Sequence, residues 1–385
     1  MRCAARNPRV IYDYETLSKR FNQQALARDP ERTMWRYLPL LPIKDRRFIQ
    51  PLRVGYTPVY AFPKLAGEYG LKALYIKDDG QNPTASYKDR ASAVVVIKAQ
   101  EKRRPVITCA STGNAASSLA GFSAATDLET VIFVPRTAPE AKVTQLLIYG
   151  AKVFLVNGSY DVAYDLAAEA AEAFGWYNRS AALNPYLVEG KKTGALELAE
   201  QLSWKVPDVV LVGVGDGSVI SGICKGFEEF HSLGLIERIP QVIGVQAEGA
   251  AAVATAFQRY NGGKVPIEDI EAQTVADSIS VGKPRDIVKA VTYVARNGGY
   301  FVTVTDTEII TGISTMARQT GVFAEPAGAA PFAGLVKLVN KGELSGRRVA
   351  VMVTGNGLKD IVAARKAVEP AIEIEPSLSA VEEHL

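Results

Sequence analysis

Lys88 is the residue of this sequence whose position most needs a chemical explanation. It lies in the stretch NPTASYKDRAS (residues 82–92), in which Pro83 predicts a turn and Ser86 predicts a helix N-cap. Lys88 then falls in the first helical turn, where the helix dipole disfavours a cation. A lysine whose pKa is lowered by its surroundings can form a Schiff base. A surface charge paired with Asp89 is the simpler interpretation of one lysine taken alone, so other parts of the chain must decide.

Four loops combine glycines with small hydroxyl, amide or carboxylate side chains. They are STGNAASS (111–118), VGDGSVISG (214–222), EPAGAAPFAGL (325–335) and VTGNGLKD (353–360). The first two each lead from an apolar run into a helical pattern, and backbone N–H groups at a helix start bind anions. The second lacks GxGxxG spacing and a P-loop lysine, which makes dinucleotide or triphosphate binding a weak interpretation. Glu325 and Thr354 add a carboxylate and a hydroxyl, so the loops and Lys88 together predict a site for a cofactor that carries phosphate and carbonyl groups.

The elements that position these loops are short apolar runs that alternate with helical patterns. The runs cover residues 73–77, 105–110, 130–135, 151–156, 208–213, 241–246, 300–305 and 348–355. Nearly continuous Val, Ile and Leu is typical of strands covered on both faces. Alternating strands and helices predict an α/β fold with mainly parallel sheets, and ligands bind such sheets beyond the carboxyl ends of the strands.

Length and composition exclude several classes of protein. A chain of 385 residues predicts two domains, and a net charge of +3 without a basic block does not favour nucleic acid as a partner. No apolar run is long enough for a membrane span, and the first residues do not resemble a secretory signal. A cytoplasmic location is therefore expected.

Cysteine and histidine are too few and too scattered for a metal centre. The three cysteines and two histidines are Cys3, Cys109, Cys224, His231 and His384. This set contains no CxxC motif and no disulfide framework, so we expect no metal site. A histidine general base is also disfavoured, and acid–base chemistry is expected to use other groups.

In the order of its motifs the chain resembles the pyridoxal-phosphate enzymes of fold type II, which share the fold of the tryptophan synthase β subunit, and within them the threonine synthases. The motifs are NPTASYKDR, STGNAA, NPYLVEGKKTGALE, VGDGSVISG, ADSISVGKPR, EPAGA and TGNGLKD, within residues 50 to 365. The resemblance implies pyridoxal 5'-phosphate as cofactor, a small amino acid as substrate and a homodimer. It also implies two doubly wound domains with the cofactor in the cleft between them.

The resemblance also implies a role for individual residues. Lys88 would form a Schiff base with the cofactor and shuttle protons, Asn114 would contact the ring hydroxyl oxygen, and Thr354 would contact the ring nitrogen. The cofactor phosphate would bind at Gly215, Asp216, Gly217, Ser218 and Val219. The substrate carboxylate would bind at Ser111, Thr112, Gly113 and Ala115.

A division of the chain follows from the same resemblance. An N-terminal arm would cover residues 1–50 and a C-terminal tail 371–385. Residues 51–90 and 184–370 would form a large cofactor-binding domain, and residues 91–183 a smaller domain that gates the substrate.

The chain departs from the family where threonine synthases bind the phosphate of their substrate. Ala181, Ala182 and Leu187 occupy the positions of an asparagine, a serine and an arginine. Leucine supplies neither the charge nor the two-pronged hydrogen bonding of arginine. Three nearby lysines are candidates to replace it: Lys142, Lys191 and Lys192.

Two activities therefore remain open for the chain. One is β,γ-elimination of O-phosphohomoserine with addition of water to give threonine. The other is a β-elimination or β-replacement reaction, as in threonine or serine dehydratases or a cysteate-synthase-like enzyme. A nucleotide-binding dehydrogenase is disfavoured because it needs an acidic residue at a strand end about 20 residues after the glycine loop, and Glu248 is too far along the chain. Lys88 and Thr354 would also have no role in such an enzyme. A non-catalytic cofactor-binding scaffold would show the same Lys88.

Overall fold

The computed structural model describes residues 9–138, 140–181 and 183–385. Its strands form two sheets, one of six strands and one of four. The strands are β1 (Val59–Ala61), β2 (Ala73–Asp78), β3 (Val106–Ala110), β4 (Glu129–Pro135), β5 (Lys152–Val156), β6 (Tyr177–Asn178), β7 (Val209–Gly213), β8 (Gln241–Ala247), β9 (Tyr300–Val304) and β10 (Arg348–Val353).

Helices connect successive strands and cover the sheets. They are α1 (Tyr14–Ser18), α2 (Gln23–Arg28), α3 (Pro63–Glu68), α4 (Lys88–Glu101), α5 (Asn114–Ser123), α6 (Glu140–Ile148), α7 (Tyr160–Ala173), α8 (Tyr186–Lys191), α9 (Thr193–Gln201), α10 (Ser218–Ser232), α11 (Ala252–Gln258), α12 (Ile287–Arg296), α13 (Asp306–Thr320), α14 (Pro326–Asn340), α15 (Ile361–Arg365) and α16 (Leu378–Glu382).

The large sheet has the strand order β1-β2-β10-β7-β8-β9, and only β1 is antiparallel to its neighbour. Alternate residues of its central strands enter two different apolar clusters: Val210 and Val212 pack with α10 and α12, whereas Val209 and Leu211 pack with α13 and α14. Because successive side chains of a strand point to opposite faces, the sheet is covered by helices on both sides.

The small sheet has the order β5-β4-β3-β6 and is entirely parallel. Its central strands are also buried on both faces, with Ile107 and Cys109 in one cluster and Val106 and Ala110 in another. The prediction of an α/β fold with two doubly wound, mainly parallel sheets is confirmed.

All eight strands expected from apolar runs are present, but coverage on both faces is wrong for β5. This strand is at the sheet edge, and Phe154 and Leu155 are 40% and 55% exposed. Two strands were not predicted, β1 and the two-residue β6. Both are too short to produce an apolar run, and β6 exists because its backbone pairs with that of β3.

Residues 9–50 are irregular but closely attached to the rest of the chain. Leu17 and Phe21 pack into the cluster that contains α10. Tyr12 donates a hydrogen bond to the carboxylate of Glu189 in α8 (2.8 Å), and the ammonium group of Lys192 lies 4.2 Å from the centroid of the Tyr12 ring. Over the described ranges, no helix is both long and apolar enough to cross a membrane.

Candidate active site

A cavity of about 630 Å³ lies where the carboxyl ends of the two sheets face each other. Its walls come from the segments that follow β3, β6, β7 and β10, and from the first residue of α4, Lys88. In parallel sheets this edge collects the loops that lead into helices. The topology therefore brings Lys88 together with the loops singled out in the sequence.

The end of β10 fixes the position of Lys88. The backbone N–H of Tyr87 donates to the carbonyl oxygen of Thr354 (2.9 Å), and Ser86 forms an isolated antiparallel bridge with Gly355. Lys88 begins its helix directly after this contact. These backbone contacts therefore bring Lys88 close to Thr354, as expected from the sequence.

The prediction that the Ser86 side chain caps this helix is wrong. The Ser86 hydroxyl is buried without a hydrogen-bond partner among the described residues. Within the described ranges no side chain caps this helix start; the carboxylate of Asp89 instead accepts the backbone N–H of Thr84 (2.6 Å) and the Thr84 hydroxyl, which ties the preceding turn to the helix. Asp89 is therefore bound to Thr84 and is not the surface partner of Lys88.

Arg90 anchors the same helical turn in a fully buried ionic network. Its guanidinium Nε donates to Asp79 (2.6 Å) and its Nη1 to Glu197 (2.5 Å), and Lys77 donates to the same Glu197 (2.7 Å). Buried charges are tolerated when they are paired and hydrogen-bonded. The network holds the start of α4, and with it Lys88, against β2 and α9.

Burial lowers the pKa of Lys88, and the nearby charge of Arg179 lowers it further. The carboxylates of Asp216 and Glu325 act in the opposite direction but do not cancel the effect of burial. A depressed pKa increases the fraction of neutral amine, which is the form that attacks a carbonyl. This electrostatic environment is what Schiff-base formation by Lys88 requires.

The glycine loop between β7 and α10 has no room for a side chain at two of its positions. Gly217 has φ of +91°, and a Cβ there would lie 2.8 Å from the Ala290 Cβ. A Cβ on Gly215 would come within 3.0 Å of the Ile279 Cα. The loop therefore requires glycine at both positions, and it opens directly onto the N-terminus of the 15-residue helix α10.

Two charged side chains flank this loop. Asp216 accepts the backbone N–H of Ser218 (2.9 Å), and Lys191 donates to the Ser218 hydroxyl (2.6 Å). Burial and the positive charge of Lys88 lower the pKa of Lys191 to about 7. Burial alone would raise the pKa of Asp216, but Lys191 and Lys88 together lower it. Asp216 is thus an anion beside Lys191 and Lys88, and Lys191 gains or loses its proton near neutral pH at the edge of the loop.

The loop after β3 forms the opposite wall. The Ser111 hydroxyl accepts the Gly113 N–H (3.2 Å), and Asn114 begins α5. The Asn114 amide donates to Glu325 (2.7 Å) and to the Ser278 hydroxyl (3.3 Å). Burial raises the pKa of Glu325 to about 7. Glu325 therefore orients the amide that the family resemblance assigns to the cofactor ring.

The predicted site residues lie around one cavity, except that Ser218 is not part of its lining. The residues that line it are Lys88, Ser111, Thr112, Gly113, Asn114, Ala115, Gly215, Asp216, Gly217, Val219 and Thr354. Ser218 is buried beside them and bonded to Lys191. Their individual roles remain predictions. A group of three or more His, Cys, Asp or Glu side chains placed to hold a metal ion was not found in the described ranges.

Comparison with known proteins identifies the family. Residues 51–355 match the family model described as "Pyridoxal-phosphate dependent enzyme". The chain is 40% identical over 368 residues to threonine synthase from Methanocaldococcus jannaschii, covering 95% of this chain and 90% of the relative. It is 36% identical to threonine synthase from Methanosarcina acetivorans, covering 97% and 91%. The chain belongs to the threonine synthase family.

Solved structures support the fold of this threonine synthase family member. A threonine deaminase from Solanum lycopersicum has a TM-score of 0.70 at 19% identity, covering 88% of this chain and 94% of that one. Maize serine racemase has a TM-score of 0.68 at 21% identity, covering 78% and 88%. At these identities the likeness concerns the fold, and the chain is a pyridoxal-phosphate-dependent lyase of fold type II by its family.

The positions where threonine synthases are expected to bind the substrate phosphate are apolar here. Leu187 is 1% exposed and packs in the cluster around α4 and α5, although it also lines the cavity. Ala181 lines the cavity as well and packs against the same cluster. Ala182 lies outside the described residues. Neither Ala181 nor Leu187 provides a charge for a phosphate group.

The three lysines proposed as replacements have different surroundings. Lys192 is fully buried and bonds Glu189 (2.6 Å) and Glu229 (2.7 Å), away from the cavity. Lys142 is paired with Asp277. Lys191 lines the cavity, but it is bonded at the glycine loop. Lys191 thus lines the main cavity at the glycine loop, whereas Lys142 lines a small adjoining cavity beside Asn114 and Glu325.

One cation of the cavity was missed by the sequence analysis. Arg179 directly follows β6, is 6% exposed and lines the cavity. Its backbone N–H donates to the carbonyl oxygen of Thr108 in β3 (2.9 Å), which continues the pairing of the two strands. The residue could have been recognised only together with β6, because its place at the sheet edge follows from that strand.

Proposed function

We propose that the protein is a threonine synthase, which converts O-phosphohomoserine and water into threonine and phosphate. The observation that carries the proposal is the meeting of Lys88, the glycine loop and Thr354 in one cavity of a chain from this family. An amine of lowered pKa, an anion-binding helix start and a hydroxyl at a strand end match the aldehyde, phosphate and ring nitrogen of pyridoxal phosphate.

Each part of the cofactor has a matching group in the cavity. Lys88 would hold the aldehyde carbon through its ε-amino group. The loop Gly215–Val219 would hold the phosphate with its N–H groups, together with the ammonium of Lys191. Thr354 would face the ring nitrogen, and Asn114 the ring hydroxyl oxygen. When bound, the cofactor supplies the electron sink that stabilises negative charge at the substrate carbons.

Side chains of the protein would carry out the proton transfers and bind the substrate. Lys88 is placed to move protons at the α and β carbons of the substrate, since its lowered pKa makes the neutral amine available. The segment Ser111–Ala115 would bind the substrate carboxylate at the start of α5. Glu325 would keep the amide of Asn114 in place.

A second activity is supported by the apolar wall at Leu187. A β-elimination or β-replacement enzyme, such as a threonine or serine dehydratase, uses the same lysine and the same loop and needs no site for a γ-phosphate. The two activities differ in whether the leaving group is on the γ or the β carbon of the substrate.

An assay of two products separates these activities. We expect purified enzyme with pyridoxal phosphate to release phosphate and form threonine from O-phosphohomoserine, and not to release 2-oxobutyrate from threonine. Lys88→Ala should lose the activity, whereas Lys64→Ala, which changes an exposed lysine on α3, should retain it. Release of 2-oxobutyrate without phosphate release would replace the proposal with the second activity.

Several coarser properties are part of the same proposal. The chain would act in the cytoplasm on a small amino acid, as a homodimer by analogy with the fold type. The predicted large domain, residues 51–90 and 184–370, is supported by the large sheet, whose strands lie within 59–78 and 209–353. The predicted small domain, residues 91–183, is supported by the small sheet, whose strands lie within 106–178.

A further inference from the structure

Arg179 is a buried cation with two guanidinium nitrogens that have no partner among the described residues. Its Nε and Nη2 atoms are shielded from solvent and have no hydrogen-bond partner in the described part of the chain. Leaving buried donors of a charged group unpaired is costly. Burial also lowers the pKa of Arg179, although an arginine remains charged at any physiological pH. Because Arg179 also lines the cavity, an anion bound there would lower this cost.

None of the described carboxylates that line the cavity is hydrogen-bonded to Arg179, although Asp216 acts on it electrostatically. Asp161 lies close to Lys283 (3.6 Å) and Arg285 (3.5 Å) at the exposed side of the cavity. Asp277 is paired with Lys142, and Glu325 accepts from Asn114. Asp216 accepts the Ser218 N–H at the glycine loop.

The phosphate of the cofactor is better matched elsewhere. It has the N–H groups at the start of α10, and Lys191 is already bonded to Ser218 at that loop. Arg179 directly follows β6 of the small sheet, and its backbone N–H donates to Thr108 in β3, the strand that leads into the Ser111–Ala115 loop. It is therefore on the wall that carries the Ser111–Ala115 loop, which is the wall expected to bind the substrate.

We propose that Arg179 receives the phosphate group of the substrate, in place of the arginine that the family pattern would put at Leu187. A guanidinium offers parallel N–H donors that match two oxygens of a phosphate, which a lysine does not. Arg179 and Leu187 line the same cavity. The cavity would therefore keep a positive charge for the phosphate, carried by the residue after β6 and not by a residue of α8. The inference rests on the proposed function for the identity of the substrate.

The test uses the cofactor-loaded enzyme and inorganic phosphate as the probe. Variants Arg179→Leu and Arg179→Lys are compared with Arg318→Leu, which removes an exposed arginine of α13. Phosphate should raise the thermal unfolding midpoint of the wild type and of Arg318→Leu. It should not raise that of Arg179→Leu, and the response of Arg179→Lys should be intermediate because a point charge replaces the fork.

Two further readouts separate ligand binding from a structural role. The KM for O-phosphohomoserine should rise roughly 10- to 150-fold in Arg179→Leu, the factor expected for loss of a charge-assisted hydrogen bond. The midpoint of Arg179→Leu without phosphate should equal or exceed that of the wild type, since an unpaired buried charge has been removed. A residue with only a structural role would lower this midpoint.

The inference is overturned by an unchanged phosphate response and KM in Arg179→Leu. It is also overturned if that variant loses affinity for pyridoxal phosphate, which would assign Arg179 to the cofactor. These results are distinct from failure of the proposed function. If the wild type does not release phosphate from O-phosphohomoserine but binds inorganic phosphate through Arg179, the activity is wrong and the anion site stands.

Discussion

Replacement of Lys191 by methionine should stabilise the cofactor-free protein near neutral pH. The side chain is 2% exposed, and its pKa is lowered from 10.5 to about 7. At pH 7 this difference corresponds to roughly 4 kcal/mol of unfavourable free energy, because the unfolded chain keeps the proton. Loss of the hydrogen bond to Ser218 offsets about 1 kcal/mol. We therefore expect Lys191→Met to raise the free energy of unfolding by about 3 kcal/mol at pH 7.

The pH dependence of this gain has a defined sign. Between pH values of about 7 and 10.5 the unfolded chain binds the proton of Lys191 and the folded chain does not. The contribution of Lys191 to stability therefore increases as the pH rises through this window. Since the variant lacks the group, its advantage over the wild type should fall to near zero by about pH 10.

Urea denaturation of both proteins at several pH values measures this difference. The comparison cancels the titration of shared groups that do not interact with Lys191, including the buried tyrosines; Asp216 and Lys88 interact with it and do not cancel. The same variant should bind pyridoxal phosphate more weakly, because the ammonium beside Ser218 is lost. A variant that is destabilised equally at neutral and alkaline pH would show that Lys191 carries no desolvation cost, and the reasoning would fail.

Three other substitutions test the site and its support. Lys88→Ala should abolish both activity and the covalent attachment of cofactor, detected by borohydride reduction and mass spectrometry; normal turnover would remove Lys88 from the mechanism. Because burial raises the pKa of Glu325, this residue should make the wild type less stable as the pH rises from about 4.5 to 7. Glu325→Gln should remove this part of the pH dependence. Glu197→Gln should lower the free energy of unfolding by roughly 3–5 kcal/mol, measured in urea, since Arg90 and Lys77 then lose a buried anion. No loss in that variant would show that the network does not stabilise α4.

The strands of the sheets could be predicted because most of them are buried on both faces. Such strands need apolar residues at nearly every position, and Val209–Gly213 is an example in which every residue is buried. Strand β6 has no such requirement, since it is two residues long and exists through its pairing with Thr108 and its neighbour Ile107. Because β6 was not predicted, the position of Arg179 at the cavity could not be predicted either, since Arg179 directly follows that strand.

The site could be predicted where chemistry restricts the residue type, and not where packing decides. Glycine is required at Gly217 by a positive φ and a close neighbour, so the motif is visible in the sequence. Lys191 and Lys192 are adjacent and chemically identical, yet Lys192 is bound to Glu189 and Glu229 while Lys191 reaches the cavity. Successive helical residues point in different directions, and only the three-dimensional packing tells which lysine is available to a ligand.

Lys191 and Arg179 are buried and are not fully neutralised by the other residues that the structure describes. Their retention can be explained by the binding of anions. Fully paired cations, such as Arg90 with Asp79 and Glu197, stabilise the fold and have no capacity left for a ligand. Lys191 and Arg179 instead contribute unfavourable free energy until anions enter the cavity, so each increases the difference in free energy between the empty and the occupied site. Lys191 is on α8 and Arg179 directly follows β6, so anions bound at both would be held by two separate elements of the cavity wall.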